Sequence, residues 1–307
     1  MARFWTAPVM SAAACFALAA CSAAEAADSE AADTETAQPA KSGETKGSAT
    51  GAGERAALTL DGEFTQGGFI RGQAPAPTGW SVTLNDQPLT VSEDGSFFAA
   101  FDRDADGEAV LEARSDTGEA LTKQINVSAR QWQISRVNVP KRSGGSSEAW
   151  WKKRKPEWEA ITAARAKVTD AAGWRQDFIW PVKGRISGLF GRQRIYQGEP
   201  GSYHSGIDIA PGNGVPYVAP ADGVVVLART GFSLEGGLII IDHGGGLNSA
   251  FLHSSKILVE EGDAVKQGQT IGHVGSTGRS TGPHLHWSLK WNDARLDPLL
   301  FTGPMNR

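Results

Sequence analysis

Cysteine is nearly missing from this chain: 307 residues hold two, Cys15 and Cys21, both within the first 21 positions. A disulfide-stapled fold is thereby excluded, and stability has to come from packing and from any bound metal. Long apolar runs are missing as well, since the richest stretch, Ala12 to Ala20, is too short to span a bilayer. Charge of one sign is also lacking. Lys and Arg number 30 against 34 Asp and Glu, a net charge of −4, so no basic excess can neutralise phosphates and nucleic acid is not expected as a partner. There is no His-Glu-x-x-His segment, which removes the helical zinc motif with its built-in glutamate base. The length nonetheless allows about two domains with a sizeable core.

The N-terminus carries Arg3 and then the short alanine-rich run, and residues 1–20 read as an export signal. Its end, Leu18-Ala19-Ala20-Cys21, resembles the bacterial lipobox, which places a lipid on Cys21 as the first mature residue. Ser22 rather than Asp follows it, pointing to an outer-membrane anchor on the periplasmic side of the cell envelope. Residues 21–56 are Ala, Glu, Thr, Gly and Ser with almost no large apolar side chain, a composition that cannot order itself. They are expected to form a tether reaching about 30–35 Å.

Three further segments follow. Residues 57–130 show short alternating runs such as Trp80-Ser81-Val82-Thr83-Leu84, separated by turn residues, and predict a small immunoglobulin-like β-sandwich serving as a spacer or binding element. Residues 131–177 form a helical connector, its helix spanning Glu148 to Val168 and interrupted at Pro156, with the basic run Lys152-Lys153-Arg154-Lys155 expected as its solvated end. Trp158, Ile161, Ala164 and Arg165 recur at three and four, so one helix face can dock on a neighbour. Residues 178–303 are dense in β signals, and the continuous run Leu238 to Ile241 fits a strand covered on both faces. The fold class is therefore mainly β: an N-terminal sandwich, a helical connector and a C-terminal all-β domain.

All six histidines fall between His204 and His286. In Ser280-Thr281-Gly282-Pro283-His284-Leu285-His286-Trp287 the last two sit two apart after a Gly-Pro break, and on a strand both imidazoles project from one face. His204 and Asp208 add a ring and a carboxylate at i and i+4, with Gly206 and Ile207 arguing against a regular helix. Imidazole plus carboxylate suits zinc, and three protein ligands leave a fourth position for water or substrate. His204, Asp208 and one histidine of the pair meet that requirement.

The motifs Tyr203-His204-Ser205-Gly206-Ile207-Asp208, Ala219-Pro220-Ala221-Asp222-Gly223, Phe251-Leu252-His253-Ser254, Glu261 to Gln269 and Gly275 to His286 occur in one order across Phe178 to Leu300. In this they resemble the M23 family of zinc metallopeptidases, the lysostaphin or LytM type, which cut peptide cross-links of bacterial cell walls. The resemblance implies a duplicated hybrid motif catalytic domain and one Zn2+ per chain held by His204, Asp208 and His286. His253 and His284 are then the catalytic pair flanking a metal-activated water and the scissile carbonyl, one acting as base and the other orienting water or stabilising the oxyanion. His243 and His273 lie outside the motifs and are assigned no role.

Two departures and two alternatives go with this reading. Phe251 stands where the family often has Tyr, and on a regular strand it would point the same way as His253, removing a polar contact near substrate. Residues 192–202 are expected to form a loop at the cleft rim. A LytM-type activator of other wall hydrolases, cutting nothing itself, is the alternative function; such domains typically lack the zinc ligands retained here. A biotinyl or lipoyl carrier needs a lysine in a tight hairpin, and the corresponding position shows none. The expected partners are peptidoglycan peptides, the membrane through the lipid at Cys21, and cell-wall or division proteins.

Overall fold

The structure is a computed structural model that describes residues 57–141 and 147–305. The export signal, Cys21, the tether and most of the Ser143 to Ser147 hinge lie outside the described residues. No helix among the described residues is long and apolar enough to cross a membrane.

The N-terminal module contains β1 (Thr59–Gly62), β2 (Phe69–Gln73), β3 (Trp80–Leu84), β4 (Gln87–Pro88), β5 (Ser96–Ala100), β6 (Glu108–Ser115) and β7 (Ala120–Asn126). They form a three-stranded sheet β1-β2-β5 and a four-stranded sheet β4-β3-β6-β7. The alternation predicted from the sequence sends Val82, Leu84, Ala109, Leu111 and Ala113 inward, onto Ile70 and Phe97 of the other sheet. β5 is buried on both faces. Phe97 belongs to the module's own core, whereas Phe98 packs with Trp174 and Phe301 in the core of the C-terminal domain. Burying one such ring stabilises by roughly 1.5–3 kcal/mol, so the module is docked on its neighbour rather than held off as a spacer.

The connector carries a strand ahead of its expected helix. It opens with β8 (Ile134–Val137), continues into α1 (Glu148–Arg165) and closes in a single 3-10 turn at Gly173–Arg175. α1 starts at Ser147, whose hydroxyl accepts the Trp150 N–H, and it runs unbroken through Pro156. Proline costs a helix one hydrogen bond and some crowding, which docking of the opposite face outweighs here. Ala160, Ile161 and Ala164 are the docked residues, while Trp158, which was expected on that face, is exposed. The basic run splits the same way: Lys152, Lys153 and Lys155 are exposed, but Arg154 is buried.

The C-terminal domain contributes β9 (Arg185–Gly188), β10 (Gln193–Tyr196), β11 (Glu199–Pro200), β12 (Ile207–Ala210), β13 (Pro216–Val218), β14 (Gly223–Phe232), β15 (Gly236–Asp242), β16 (Leu247–Leu252), β17 (Lys256–Ile257), β18 (Ala264–Val265), β19 (Thr270–His273), β20 (Leu285–Trp291) and β21 (Ala294–Leu296). Its main sheet has the order β18-β14-β15-β16-β20-β12-β9, with β21 on β20, and a small sheet β13-β19-β17 stands apart from it. β15 is buried throughout, as its unbroken apolar run requires. Ile239 and Ile241 face the main core with Ile207, Phe251 and Trp287, while Leu238 and Ile240 face α1. The segment expected to be a rim loop is instead a hairpin, β10-β11, whose first strand pairs in parallel with β8 of the connector.

Candidate metal centre

Asp208 on β12 lies directly opposite His286 on β20, with Gly188 of β9 beyond Asp208 and Leu252 of β16 beyond His286. Cross-strand partners share a face, so one row across four strands carries two of the three candidate ligands. His204 enters from the loop before β12. Its N–H donates to the Arg192 carbonyl at 2.8 Å, its carbonyl accepts the Gly191 N–H at 2.9 Å, and its Nδ1–H donates to the Leu189 carbonyl at 2.9 Å. That last bond fixes the tautomer and leaves Nε2 as a lone pair facing the row.

The three donor atoms converge. His204 Nε2 is 3.1 Å from both Asp208 Oδ1 and His286 Nδ1, and the latter two are 2.8 Å apart. Since neutral His204 has spent its proton on Leu189, His286 alone can place a proton among these lone pairs. A divalent cation satisfies all three at once, and ligands about 2.0–2.1 Å from a tetrahedral zinc stand roughly 3.3 Å apart, close to the spacing seen. Glycines make the room. A Cβ on Gly188 would lie 2.3 Å from Asp208 Oδ2, and one on Gly206 2.4 Å from the Trp287 carbonyl and 2.8 Å from His286 Nε2.

Electrostatics tie the trio together. Burial alone would raise the Asp208 carboxyl, but the His204 and His286 rings against it, which bind the carboxylate wherever they carry a proton toward it, outweigh burial and hold Asp208 well below the usual carboxylate range. Burial pulls His204 down, yet the hydrogen bond and charge of Asp208 leave it raised. For His286 burial wins and its pKa is lowered.

The remaining two motif histidines adjoin this group. His253 follows the end of β16 with φ +67°, a left-handed conformation uncommon outside glycine, asparagine and aspartate. Its Nδ1–H donates to the Thr277 carbonyl at 2.8 Å, and burial, followed by the neighbouring His284 and His286, pushes its pKa down to about 4. His284 forms an isolated bridge with Gly275 and donates Nδ1–H to the Gly282 carbonyl at 2.8 Å, with Nε2 3.6 Å from Asp208 Oδ1. The His253 ring centre lies 4.8 Å from that of His284 and 6.4 Å from that of His286. With both Nδ1 protons committed to carbonyls, each neutral ring keeps an Nε2 lone pair.

One expectation is overturned by this backbone. Phe251 does not share a direction with His253: its ring is fully buried and stacks on Tyr217 at 5.5 Å, because the left-handed residue breaks the strand's alternation. The hydroxyl that Phe251 lacks would have pointed into the core. His243 is also fully buried, donating Nδ1–H to the Asp222 carbonyl and accepting from Ser249 Oγ at 2.7 Å, and burial pushes its pKa down to about 4. His273 ends β19.

The sequence reading did not single out Gly188, although an isolated glycine beside a strand end is a signal of close approach. Nor did it single out Leu189 and Thr277, which act through main-chain carbonyls and leave no side-chain signature. Tyr203 was read as part of the motif at His204 but given no role of its own. Its ring lies under the buried guanidinium of Arg103 at 4.5 Å, and Arg103 also donates to the Gly191 carbonyl, so the N-terminal module grips the segment that delivers His204.

An all-β domain in which two imidazoles and a carboxylate converge beside two more histidines has the donor set of a metal-binding site. More narrowly, residues 202–298 match Peptidase family M23, and the chain carries a domain of that family. Over 113 residues, 36% of this chain and 26% of the relative, it is 42% identical to the peptidoglycan DD-endopeptidase ShyA of Vibrio cholerae. Over 133 residues, 43% of this chain and 32% of the relative, it is 37% identical to the murein hydrolase activator NlpD of Escherichia coli. A crystal structure described as a peptidase M23 from Pseudomonas aeruginosa aligns with a TM-score of 0.57 at 29% identity, covering 78% of this chain and 94% of that one. That coverage extends the likeness beyond residues 202–298. The chain spans between about a quarter and two fifths of the length of the curated relatives it matches.

Proposed function

We propose that this chain is a zinc-dependent endopeptidase that hydrolyses peptide cross-links of peptidoglycan. The observation that carries the reading is the convergence of His204 Nε2, Asp208 Oδ1 and His286 Nδ1 within 3.1 Å of one another, flanked by two further histidines that are not needed as ligands. These three would hold the metal. Zinc bound there supplies Lewis acidity and a nucleophile available near neutral pH. The chain's own part is proton handling and orientation. Each of His253 and His284 offers an Nε2 lone pair, so whichever ring takes the proton from the attacking water becomes a cationic donor. That ring can then stabilise the oxyanion or protonate the leaving amine.

The likeness to the endopeptidase ShyA supports a peptidoglycan substrate, and the motif ending in Cys21 supports lipid anchoring in the envelope, on the outer membrane, with residues 21–56 as tether. The domain limits read from the sequence, 57–130, 131–177 and 178–303, belong to the same proposal, with β8 added to the connector.

The test is digestion of defined muropeptides by the purified protein, with products separated by chromatography, with and without chelator. Release of cleaved stems that stops on chelation supports the reading, and activity unchanged by full metal depletion sinks it. The likeness to NlpD favours a second reading, an activator of other wall hydrolases. It is distinguished by the same digest: no product from this chain alone, but faster digestion by an added hydrolase.

A further inference from the structure

The His253 loop is held by a turn that is itself braced from outside the 202–298 segment. Its N–H donates to the Glu235 carbonyl at 2.8 Å, in the turn between β14 and β15. The same turn braces Thr277, whose carbonyl receives the His253 Nδ1–H. Gly237 N–H donates to Thr277 Oγ1 at 2.9 Å, and Gly236 passes so close that a Cβ there would lie 2.3 Å from Thr277 Oγ1. Both the backbone and the ring of His253 therefore depend on where residues 233–237 sit.

What fixes that turn is α1. The buried Arg154 guanidinium binds both Glu235 carboxylate oxygens at 2.7 Å, a two-pronged pair of the kind that sets geometry as well as energy. It also donates to Glu157 at 2.9 Å, and Glu157 in turn accepts the Ser233 N–H at 2.9 Å and the Ser233 hydroxyl at 2.5 Å. Burial opposes the charge on Arg154, but the two glutamates raise its pKa, and Ser233 and Arg154 lower that of Glu157 against its own burial. A left-handed histidine persists only when its surroundings over-determine it, and this clamp supplies that constraint.

We propose that Arg154 of the connector helix is a positioning residue for His253, acting through Glu235, so that docking of α1 sets the competence of the site. The proposal rests on the assignment of His253 to the peptidase reaction, and its test is built to be separable from that assignment. Arg154→Ala is compared with Ile161→Ala, which weakens the same helix's docking without touching the ion pair, at temperatures giving equal loss of folded protein. In the purified full chain, hydrogen exchange of the His253 amide is expected to accelerate in Arg154→Ala and to stay near wild type in Ile161→Ala. kcat on muropeptides is expected to fall between about ten- and a hundredfold in Arg154→Ala, with KM little changed and metal content equal to wild type. Should Arg154→Ala not fold, Glu235→Gln gives the same comparison. Equal His253 exchange in the Arg154 and Ile161 variants overturns the proposal. A wild-type chain without turnover overturns the peptidase reading but leaves the exchange result to decide this one.

Discussion

Asp208 and His286 are cross-strand partners with their donor atoms 2.8 Å apart, so the candidate centre is built into the hydrogen-bonded register of β12 and β20. Two candidate ligands fixed by one register leave His204 as the one of the three delivered by a loop. Asp208→Ala and His286→Ala are each expected to lose bound zinc at micromolar free metal while keeping the β-rich circular dichroism spectrum. Elemental analysis after dialysis checks this, and stoichiometric zinc in either variant would remove that residue from the ligand set.

Gly188 is the most economical test of the geometry, because it has no side chain that could bind metal or react. A methyl group there meets Asp208 Oδ2 at 2.3 Å and must push the carboxylate off the row. Gly188→Ala should weaken zinc affinity by about ten- to a hundredfold, the range for disturbed support of a ligand. Competition with a fluorescent chelator measures it; an unchanged affinity means the strands yield instead.

His253→Ala and His284→Ala are expected to abolish turnover while leaving most zinc in place, since neither ring belongs to the converging trio. The readout pairs muropeptide digestion with metal content. Zinc loss in either variant comparable to that in His286→Ala would turn that residue into a ligand.

His243 gives a pH prediction independent of catalysis. Its folded pKa, about 4, lies below the ordinary 6.5 because the ring is buried. The unfolded chain therefore binds a proton between these values that the folded chain refuses. The resulting stabilisation is complete above pH 6.5, declines as the pH falls toward 4 and levels off below, by about 3 kcal/mol in all. In urea titrations at pH 7.5 and 4.5, the stability gap between wild type and His243→Gln should narrow at the lower pH. A constant gap would show that this ring is not the group responsible.

How far the sequence carried this reading follows from where each constraint lies. The convergence of His204, Asp208 and His286 was legible because metal-binding residue types stood at short spacings, and β15 because a strand covered on both faces must be apolar throughout. β8 was not legible: Ile134-Ser135-Arg136-Val137 has no convincing alternation, and its partner Gln193–Tyr196 lies far along the chain. The continuity of α1 through Pro156 was decided by tertiary docking rather than local preference. The direction of Phe251 depended on a left-handed dihedral at His253, where no glycine advertises it.

Adjacent phenylalanines on β5 have a last consequence. Phe97 and Phe98 point into two different cores, so one strand cannot melt without opening both. The N-terminal module and the C-terminal domain are thereby expected to unfold together, and a truncation at the boundary near residue 130 does not release a C-terminal domain with its core closed. It leaves Trp174, Trp291 and Phe301 facing water where Phe98 had been.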